Sequence, residues 1–501
     1  GEAIGYQIAE RIKDYDKPIK RIRFNEIKKD KILKAVSSPE EIDMKIVDSQ
    51  KSRQVLDKII GFMVSPFLMN FMGNNLSAGR TQSVVTRLII DREREIENFK
   101  PETFFTINVN LSNDKINFFT AKFIDKLTDE TIAKDTKDKL QDQYVVLDVV
   151  SPDQTVNPPA PMITSSLQME MSKSFSISAE NTMAAAQKLY EYGYISYPRT
   201  DSVRASDESI GELRNYISTK YALPKKPNVF KNKDAAQDAH ECIRPTDISI
   251  LPNSSQIIDK DELAVYNTIW KYFVASQMEP AIYSTLKVTL APVSNKKLKV
   301  RASGKTLKSK GFLEILGISD DSKIEIPNLN KDDVLDLFGK NPVRLDKKQT
   351  QAPPRYSESK LIKELTVKGI GRPATYADLL SKICTRNYVE KKGDVYHATE
   401  LGKKITDILV NFFTFMNYDY TAKMESDLDQ IESGKKTYLE MLNSFYPKFK
   451  EELDKAYIQY GSTICERCKS PIVKRINKET NEEFSICSNN KICKYIIERK
   501  S

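Results

Sequence analysis

Apolar residues recur at every fourth position at the start of the chain, Ile4, Ile8 and Ile12, and predict an amphipathic helix that runs into a basic segment reaching Lys34. Residues 40–98 also read as helical. Val55, Ile59 and Phe62 share one face, and Pro66 is expected to begin a new element. A helix over 83–96 carries an Asp-Arg-Glu-Arg-Glu face expected to be exposed, and Pro101 ends it. Over 104–150 the period drops to two, with Phe105, Ile107, Val109 and Leu111 apolar and polar residues between them, which predicts strands. A Pro-rich linker, Asn-Pro-Pro-Ala-Pro at 157–161, follows. Residues 163–281 return to a mainly helical pattern, and strand character reappears at 285–290, 298–300 and 334–338. A second linker, Gln-Ala-Pro-Pro-Arg at 351–355, leads into a helical block ending near Tyr457.

The order helical, β, helical, β, helical predicts a multidomain α+β chain, mainly helical, in which two β segments form one unit interrupted by an inserted helical domain. For 501 residues, roughly three to five domains are expected.

Composition narrows the partner class only slightly. Lys plus Arg is 78 against 69 for Asp plus Glu, a net charge of +9. That excess is modest for the size, so an anionic partner is held by local patches rather than bulk charge. One patch lies between Arg11 and Lys34, where ten basic residues accompany four acidic ones. A solvated face and a phosphate-binding face are both open readings of it. Six cysteines, four of them in the last 37 residues, fit a reducing compartment and a metal site better than a disulfide scaffold. No apolar run reaches the ~18 residues a membrane span needs; the richest, 408–416, is broken by Asn411 and Thr414. The start, Gly-Glu-Ala-Ile, has no signal-peptide layout. A soluble cytoplasmic protein with no membrane partner is expected.

Four groups of residues carry candidate chemistry. Ser178 suits an N-cap for a helix over 181–192, and Gly193 suits its stop. The sequence then runs Tyr194-Ile-Ser-Tyr197-Pro198-Arg199-Thr200-Asp201-Ser202. Pro198 biases Tyr197 toward an extended backbone on a loop. Forming a phenolate at pH 7 costs about 4 kcal/mol. A guanidinium two residues on, Arg199, recovers part of that and can hold a phosphate under attack. With 23 tyrosines in the chain, this motif alone does not single out Tyr197.

His240, one of two histidines, lies in Ala-His-Glu-Cys-Ile-Arg-Pro-Thr at 239–246. Arg244 stands where a zinc protease helix has its second histidine, so that chemistry is excluded. A structural histidine and one assisting at a phosphodiester both fit. Lys368-Gly-Ile-Gly-Arg372-Pro-Ala-Thr375-Tyr376 fits a phosphate-contacting turn, with Arg372 and Thr375 as its side chains, or a plain helix entry.

The most specific group is Cys465-x2-Cys468-x18-Cys487-x5-Cys493, two knuckle-like pairs at the spacing of a four-thiolate structural zinc. In a domain this small the metal supplies folding free energy that a core cannot. Lys469, Lys474, Arg475, Lys478, Lys491, Lys494, Arg499 and Lys500 surround it, with Phe484 and Tyr495 available for stacking. It reads as a ribbon that grips single-stranded nucleic acid; a structural or protein-binding ribbon is the alternative.

Eight segments, in one order, resemble the type IA DNA topoisomerases: 2–6 (EAIGY), 57–66 (DKIIGFMVSP), 76–96 (LSAGRTQSVVTRLIIDREREI), 164–170 (TSSLQME), 197–202, 236–246 (AQDAHECIRPT), 354–376 and 415–434. The match covers nearly the whole chain. Arg372, with Thr375-Tyr376, resembles the bacterial relaxing branch, since the decatenating branch usually has Thr in place of Arg372. The resemblance implies a torus with these parts: a remnant of the Toprim domain at 1–40, a helical groove domain at 41–99 and 351–458, a β-rich arch at 100–162 and 283–350, an inserted helical domain carrying the tyrosine at 163–282, and a zinc ribbon at 459–501.

Residue by residue, the resemblance makes Tyr197 the nucleophile of a 5′-phosphotyrosyl link, Arg199 the active-site arginine and His240 the histidine assisting at the scissile phosphate. Arg80 matches an arginine that binds the cleaved strand, with Gln82 and Ser83 beside it. Arg53, Asp57, Arg372 and Thr375 match positions lining a single-strand groove, and Arg244 joins this DNA-binding set. Gln54 replaces an expected basic groove residue. The implied reaction is ATP-independent: single-strand cleavage, strand passage and religation that relax negatively supercoiled DNA. The implied partners are single-stranded and negatively supercoiled DNA, acted on by a monomer.

The implied cofactors are a structural Zn2+ on Cys465, Cys468, Cys487 and Cys493, and Mg2+. The acidic Asp-x-Asp-x-Glu motif that organises Mg2+ is expected just before Gly1. Plasmid relaxation by residues 1–501 alone is therefore not expected, and a non-catalytic single-stranded DNA-binding fragment is the alternative. A tyrosine recombinase also gathers Arg, His and Tyr, but expects His-x-x-Arg with the nucleophile downstream. Here the spacing is His-x-x-x-Arg and Tyr197 lies upstream.

Overall fold

The computed structural model describes residues 2–15, 17–73, 75–114, 116–232, 241–252, 257, 259–317, 326–476, 483–489, 493 and 496–497. The chain opens with α1 (Glu2–Ile12), α2 (Lys29–Ser37), α3 (Met44–Met72) and α4 (Gln82–Glu97). A β segment follows: β1 (Thr103–Ser112), β2 (Phe119–Phe123), α5 (Glu130–Lys139), β3 (Tyr144–Val150) and β4 (Asp153–Val156). Helices α6 (Thr164–Phe175), α7 (Ala179–Glu191), α8 (Asp207–Ile217) and α9 (Lys260–Ser276) come next. The second β segment holds β5 (Ala281–Pro292), β6 (Val300–Ser309), the short α10 (Leu313–Leu316), β7 (Val334–Leu337) and β8 (Val343–Gln349). Then come α11 (Glu358–Lys368), α12 (Pro373–Thr385), the hairpin β9 (Val389–Lys392) and β10 (Val395–Ala398), α13 (Glu400–Phe412), α14 (Tyr418–Glu432) and α15 (Tyr438–Gln459). The last strands are β11 (Ile472–Ile476), β12 (Glu483–Cys487) and β13 (Ile496–Ile497).

Strands from both β segments join in one antiparallel sheet of order β2-β6-β5-β3-β7-β1-β8, with β4 on β5. Because β1 also pairs with β2, six of the strands close on themselves. Phe105, Ile107, Val109 and Leu111 of β1 all point into its core, as their alternation predicts. A second core gathers α6 to α9 with Ile195, Cys242 and Ile243. The largest gathers α3, α4 and α11 to α15, and the β11 residue Val473 packs against it.

Several expectations are corrected. Pro66 starts no new element: α3 runs straight through it. Proline lacks the N–H that would bond the carbonyl of Phe62 and its ring crowds that carbonyl, but Phe62 lies on an exposed face, where the packing of the helix does not depend on it. Ile4, Ile8 and Ile12 form a helix, but their stripe faces outward, at 63%, 54% and 40% exposure, while Glu2 is the buried residue of α1. The acidic and basic run on α4 is not wholly exposed, because Glu93 is buried and accepts hydrogen bonds from Arg355 at 3.0 Å. The strand region also contains α5, whose N-cap Asp129 accepts from the Ile132 N–H. Helix α3 has an 18-residue window apolar enough to cross a membrane by length and composition, contrary to the expectation above. Yet its Leu56, Ile60, Val64, Phe67 and Leu68 are fully buried in the largest core.

Candidate active site and nucleic-acid groove

The Tyr197 loop is built by its neighbours. Helix α7 is capped by Ser178, whose side chain accepts from the Asn181 N–H, and ends at Gly193 with φ +75°. A Cβ at Gly193 would lie 3.1 Å from the Ile27 carbonyl, so both conformation and space favour glycine there. Beyond it, exposure alternates: Ser196, Pro198 and Thr200 are buried, Tyr197 is half-buried and Arg199 exposed.

Two buried hydroxyls pin this alternation. Ser196 Oγ donates to the Cys242 carbonyl at 2.9 Å and accepts from the Arg244 N–H at 3.0 Å. Thr164 Oγ1 accepts from the Thr200 N–H at 2.8 Å, with the Pro198 carbonyl 2.8 Å away as its own acceptor. Tyr197 and Arg199 are thereby presented side by side. The Tyr197 N–H donates to the Asn25 carbonyl at 2.9 Å. The Tyr190 ring meets the Tyr197 ring edge-on at 5.5 Å, and Tyr190's own hydroxyl is pushed up by burial and by the charge of Tyr197. Arg199 Nη1 reaches the Ala374 carbonyl, in the first turn of α12, at 3.4 Å. Asn25, Ser196, Tyr197, Thr200 and Glu241 line a small pocket.

Arg244 does not face solvent. It is buried between Glu26, from the N-terminal segment, and Glu241, at 2.8 Å, on its own loop. Burial opposes its charge, but the two carboxylates outweigh that and raise its pKa. His240 lies outside the described residues.

The groove candidates form one charged cluster. Arg53 and Asp57 come from α3, Arg80 precedes α4, and Arg372 is the N-cap of α12. All gather on α14, where Glu425 and Asp429 meet them. Arg80 bonds Asp57 at 3.0 Å and Glu425 at 2.5 Å; Arg53 lies 3.1 Å and Arg372 3.4 Å from Glu425. Arg372 also bonds both oxygens of Asp429, at 2.7 and 2.6 Å. Burial opposes ionisation of Glu425, yet Arg80, Arg53 and Arg372 together hold its carboxyl down at about 2. For Asp429 burial wins and its pKa is raised. Arg80 is buried, so its guanidinium faces these carboxylates rather than solvent.

Ser83 is buried and its Oγ accepts from the Gly79 N–H at 3.2 Å, while the buried Gln82 Nε2 has no hydrogen-bond partner. Thr375 Oγ1 donates to the Arg372 carbonyl at 2.9 Å, closing the α12 entry turn. Gly371, at φ +72°, brings that turn against Thr81, whose Cγ2 would be 3.0 Å from a Cβ there. The Arg80 and Arg372 segments thus touch, and Arg199 links them to Tyr197.

The four C-terminal cysteines converge between β11, β12 and the turns beside them. Their sulfurs all lie within 4.8 Å of one another, with Cys465 and Cys493 3.6 Å apart and Cys468 and Cys487 3.3 Å apart. Tetrahedral zinc with Zn–S bonds of about 2.3 Å needs sulfurs roughly 3.8 Å apart, so the cluster could hold that metal. Cys242 and Cys384 stand elsewhere. Among the described residues no other group of His, Cys, Asp or Glu is placed to hold a metal ion. Glu241, which lines the Tyr197 pocket, and Glu26 are both engaged by Arg244 and do not fit a magnesium site.

Sequence reasoning missed Asn25, Glu26, Thr164, Ser196, Glu425 and Asp429. Thr164 and the two acids of α14 do lie within segments that resemble the family. Nothing in the pattern marked Asn25 or Glu26.

Comparison with known proteins adds the following. A family model described as DNA topoisomerase matches residues 41–443. DNA topoisomerase 1 of Haemophilus influenzae is 38% identical over 472 residues, covering 91% of this chain and 53% of that protein. DNA topoisomerase 1 of Rickettsia felis is 37% identical, covering 97% of this chain and 66% of that protein. The chain therefore spans between half and two thirds of the length of these relatives. The structure of full-length topoisomerase I from Thermotoga maritima superposes with a TM-score of 0.80 at 30% identity, over 97% of this chain and 82% of that one.

Proposed function

The chain belongs to the type IA DNA topoisomerases, and on that footing we propose that the protein cuts one DNA strand with Tyr197, passes another through the gap and reseals, relaxing negatively supercoiled DNA without ATP. In this reaction the Tyr197 oxygen bonds to phosphorus, the 3′-oxygen leaves, and the phenolic proton is balanced by the proton that the 3′-hydroxyl gains. One phosphodiester is exchanged for another, and reversal of the same step reseals the strand, so no external energy is required.

The observation that carries the reading is the shared loop of Tyr197 and Arg199, fixed by Ser196 and Thr200 and joined through Ala374 to the groove cluster. Arg199 is exposed and spends only one long bond, on the Ala374 carbonyl, so its other donors can neutralise the phosphate under attack. His240 would assist beside it. Arg53, Asp57, Arg372 and Thr375 would line the strand's path. Arg80, with Gln82 and Ser83, would brace the wall from behind, and Arg244 would brace the Tyr197 pocket.

The units would divide as the sequence reading has them: 41–99 with 351–458 as the groove, 100–162 with 283–350 as the arch, 163–282 as the tyrosine carrier, 1–40 as the remnant of the Toprim domain and 459–501 as the ribbon. The ribbon would take zinc on its four cysteines, where the metal ties the short strands together. Magnesium is expected for the family. A cytoplasmic monomer completes the reading.

Plasmid relaxation tests it. The protein carrying these residues should relax negatively supercoiled plasmid without ATP through products spaced by single linking numbers. Products spaced by two, or a need for ATP, would contradict single-strand passage.

A further inference from the structure

Glu425 has almost no exposed surface, about 1%, yet three guanidiniums face it. Only Arg80 is hydrogen-bonded to its carboxylate; Arg372 donates instead to the Glu425 backbone carbonyl at 3.1 Å and to both oxygens of Asp429 at 2.7 and 2.6 Å. Oε1 takes the bond from Arg80, whereas Oε2 has no aligned donor although Arg53 and Arg372 stand 3.1 and 3.4 Å away. Arg80 is enclosed, with its side chain 2% exposed. Arg53 and Arg372 keep 22% and 25% of theirs open. Each therefore has one side toward a buried carboxylate and another toward solvent.

Resting on the groove reading above, we propose that Glu425 is a positioning residue: it holds Arg53 at the groove wall, beside the anchored Arg372, and competes with a DNA phosphate for it. Arg53, held at ion-pair distance from Oε2 without a directed hydrogen bond, loses little by turning to another anion, whereas Arg372 stays anchored on Asp429. A phosphate offers Arg53 the aligned, charge-assisted bonds that Oε2 does not supply. The cluster is also neutral as a whole: Arg53, Arg80 and Arg372 face Asp57, Glu425 and Asp429. The wall thus presents no excess charge until a strand draws Arg53 toward it, and the buried carboxylate pulls it back when the strand leaves. Affinity is held low enough for repeated capture and release.

Neutralising Glu425 gives an effect opposite in sign to structural damage. Binding of a fluorescent single-stranded oligothymidine across a salt series reads it. In Glu425→Gln the freed Arg53 should tighten binding at least threefold at low salt and steepen the salt dependence by about 0.7, one more phosphate contact on a single strand. In an Arg53→Ala/Arg372→Ala background the same substitution should change neither quantity, because the groups it acts through are gone.

Unchanged or weaker binding by Glu425→Gln overturns the proposal. So does tightening that persists without the two arginines. If Arg53→Ala/Arg372→Ala binds as the parent does, the groove reading itself falls, and this inference with it. Should Glu425→Gln fail to fold because Arg80 is left under-paired, Arg80→Met/Glu425→Gln removes the buried pair together, and the same comparison applies.

Discussion

The backbone N–H of Tyr197 donates to the carbonyl of Asn25 at 2.9 Å, so the candidate nucleophile is tied directly to the N-terminal segment. The Glu26 to Arg244 ion pair lies one residue further along that segment, and Lys28 bonds the Thr246 carbonyl. The pocket of Tyr197 is therefore closed by an interface rather than by its own loop alone.

Arg244 is the centre of that interface. Arg244→Met strands two carboxylates, one of them buried, and should lower stability by about 3–5 kcal/mol in denaturant melts. Arg244→Lys keeps the charge but cannot fork between Glu26 and Glu241, so it should recover only part. A melt of Arg244→Met within about 1 kcal/mol of the parent would show that the pair is not closing the pocket.

Thr164 acts through the loop. Thr164→Val keeps its shape but leaves the buried Thr200 N–H without its acceptor, costing about 1–3 kcal/mol. The covalent DNA adduct should fall while oligonucleotide affinity holds, since the groove cations are untouched. Thr164→Ser, which keeps the hydroxyl, should restore most of the adduct. Equal loss in both variants would mean that the methyl group, not the hydrogen bond, matters.

One zinc per chain is expected by elemental analysis. Cys465→Ser/Cys487→Ser should lose it, and Cys242→Ser/Cys384→Ser should keep it. Zinc retained by the first pair would place the metal elsewhere.

Glu425 also gives a pH signature. Its folded pKa, about 2, lies below an ordinary glutamate's, about 4.3. Its ionised form therefore contributes stability that is fully present above that ordinary value and is lost as pH falls toward 2. The difference in melting temperature between the parent and Glu425→Gln should be largest near neutrality and shrink between pH 4.5 and 2. A difference independent of pH would remove the charge from the explanation.

How much of this was legible in the sequence follows from what each residue buries. The β1 alternation was readable because one face of the strand enters the core. Helix α5 was not, because only Ala133 and Thr136 of its ten residues are buried and no apolar stripe forms. Strand β8 was missed for a similar reason: its polar sequence buries only Val343. The stripe of α1 was readable as helix but misleading about its core. Tyr197 and Arg199 were marked by the family resemblance, since motif and chemistry alone do not single out one of 23 tyrosines. Glu425 did not, since a glutamate on a helix reads as solvated until three arginines from distant segments are brought around it.

The central claim is that Tyr197 is the nucleophile, and a trapped adduct tests it most directly. A 3′-labelled single-stranded oligonucleotide is incubated with the protein carrying these residues, quenched with denaturant and run on a denaturing gel. The parent should carry label on the protein, and peptide mapping should find the phosphate on Tyr197. Tyr197→Phe should bind the oligonucleotide with nearly the same affinity and carry none. Label on the Tyr197→Phe protein at the parent's yield, or a parent that binds DNA and never becomes labelled, would contradict the account.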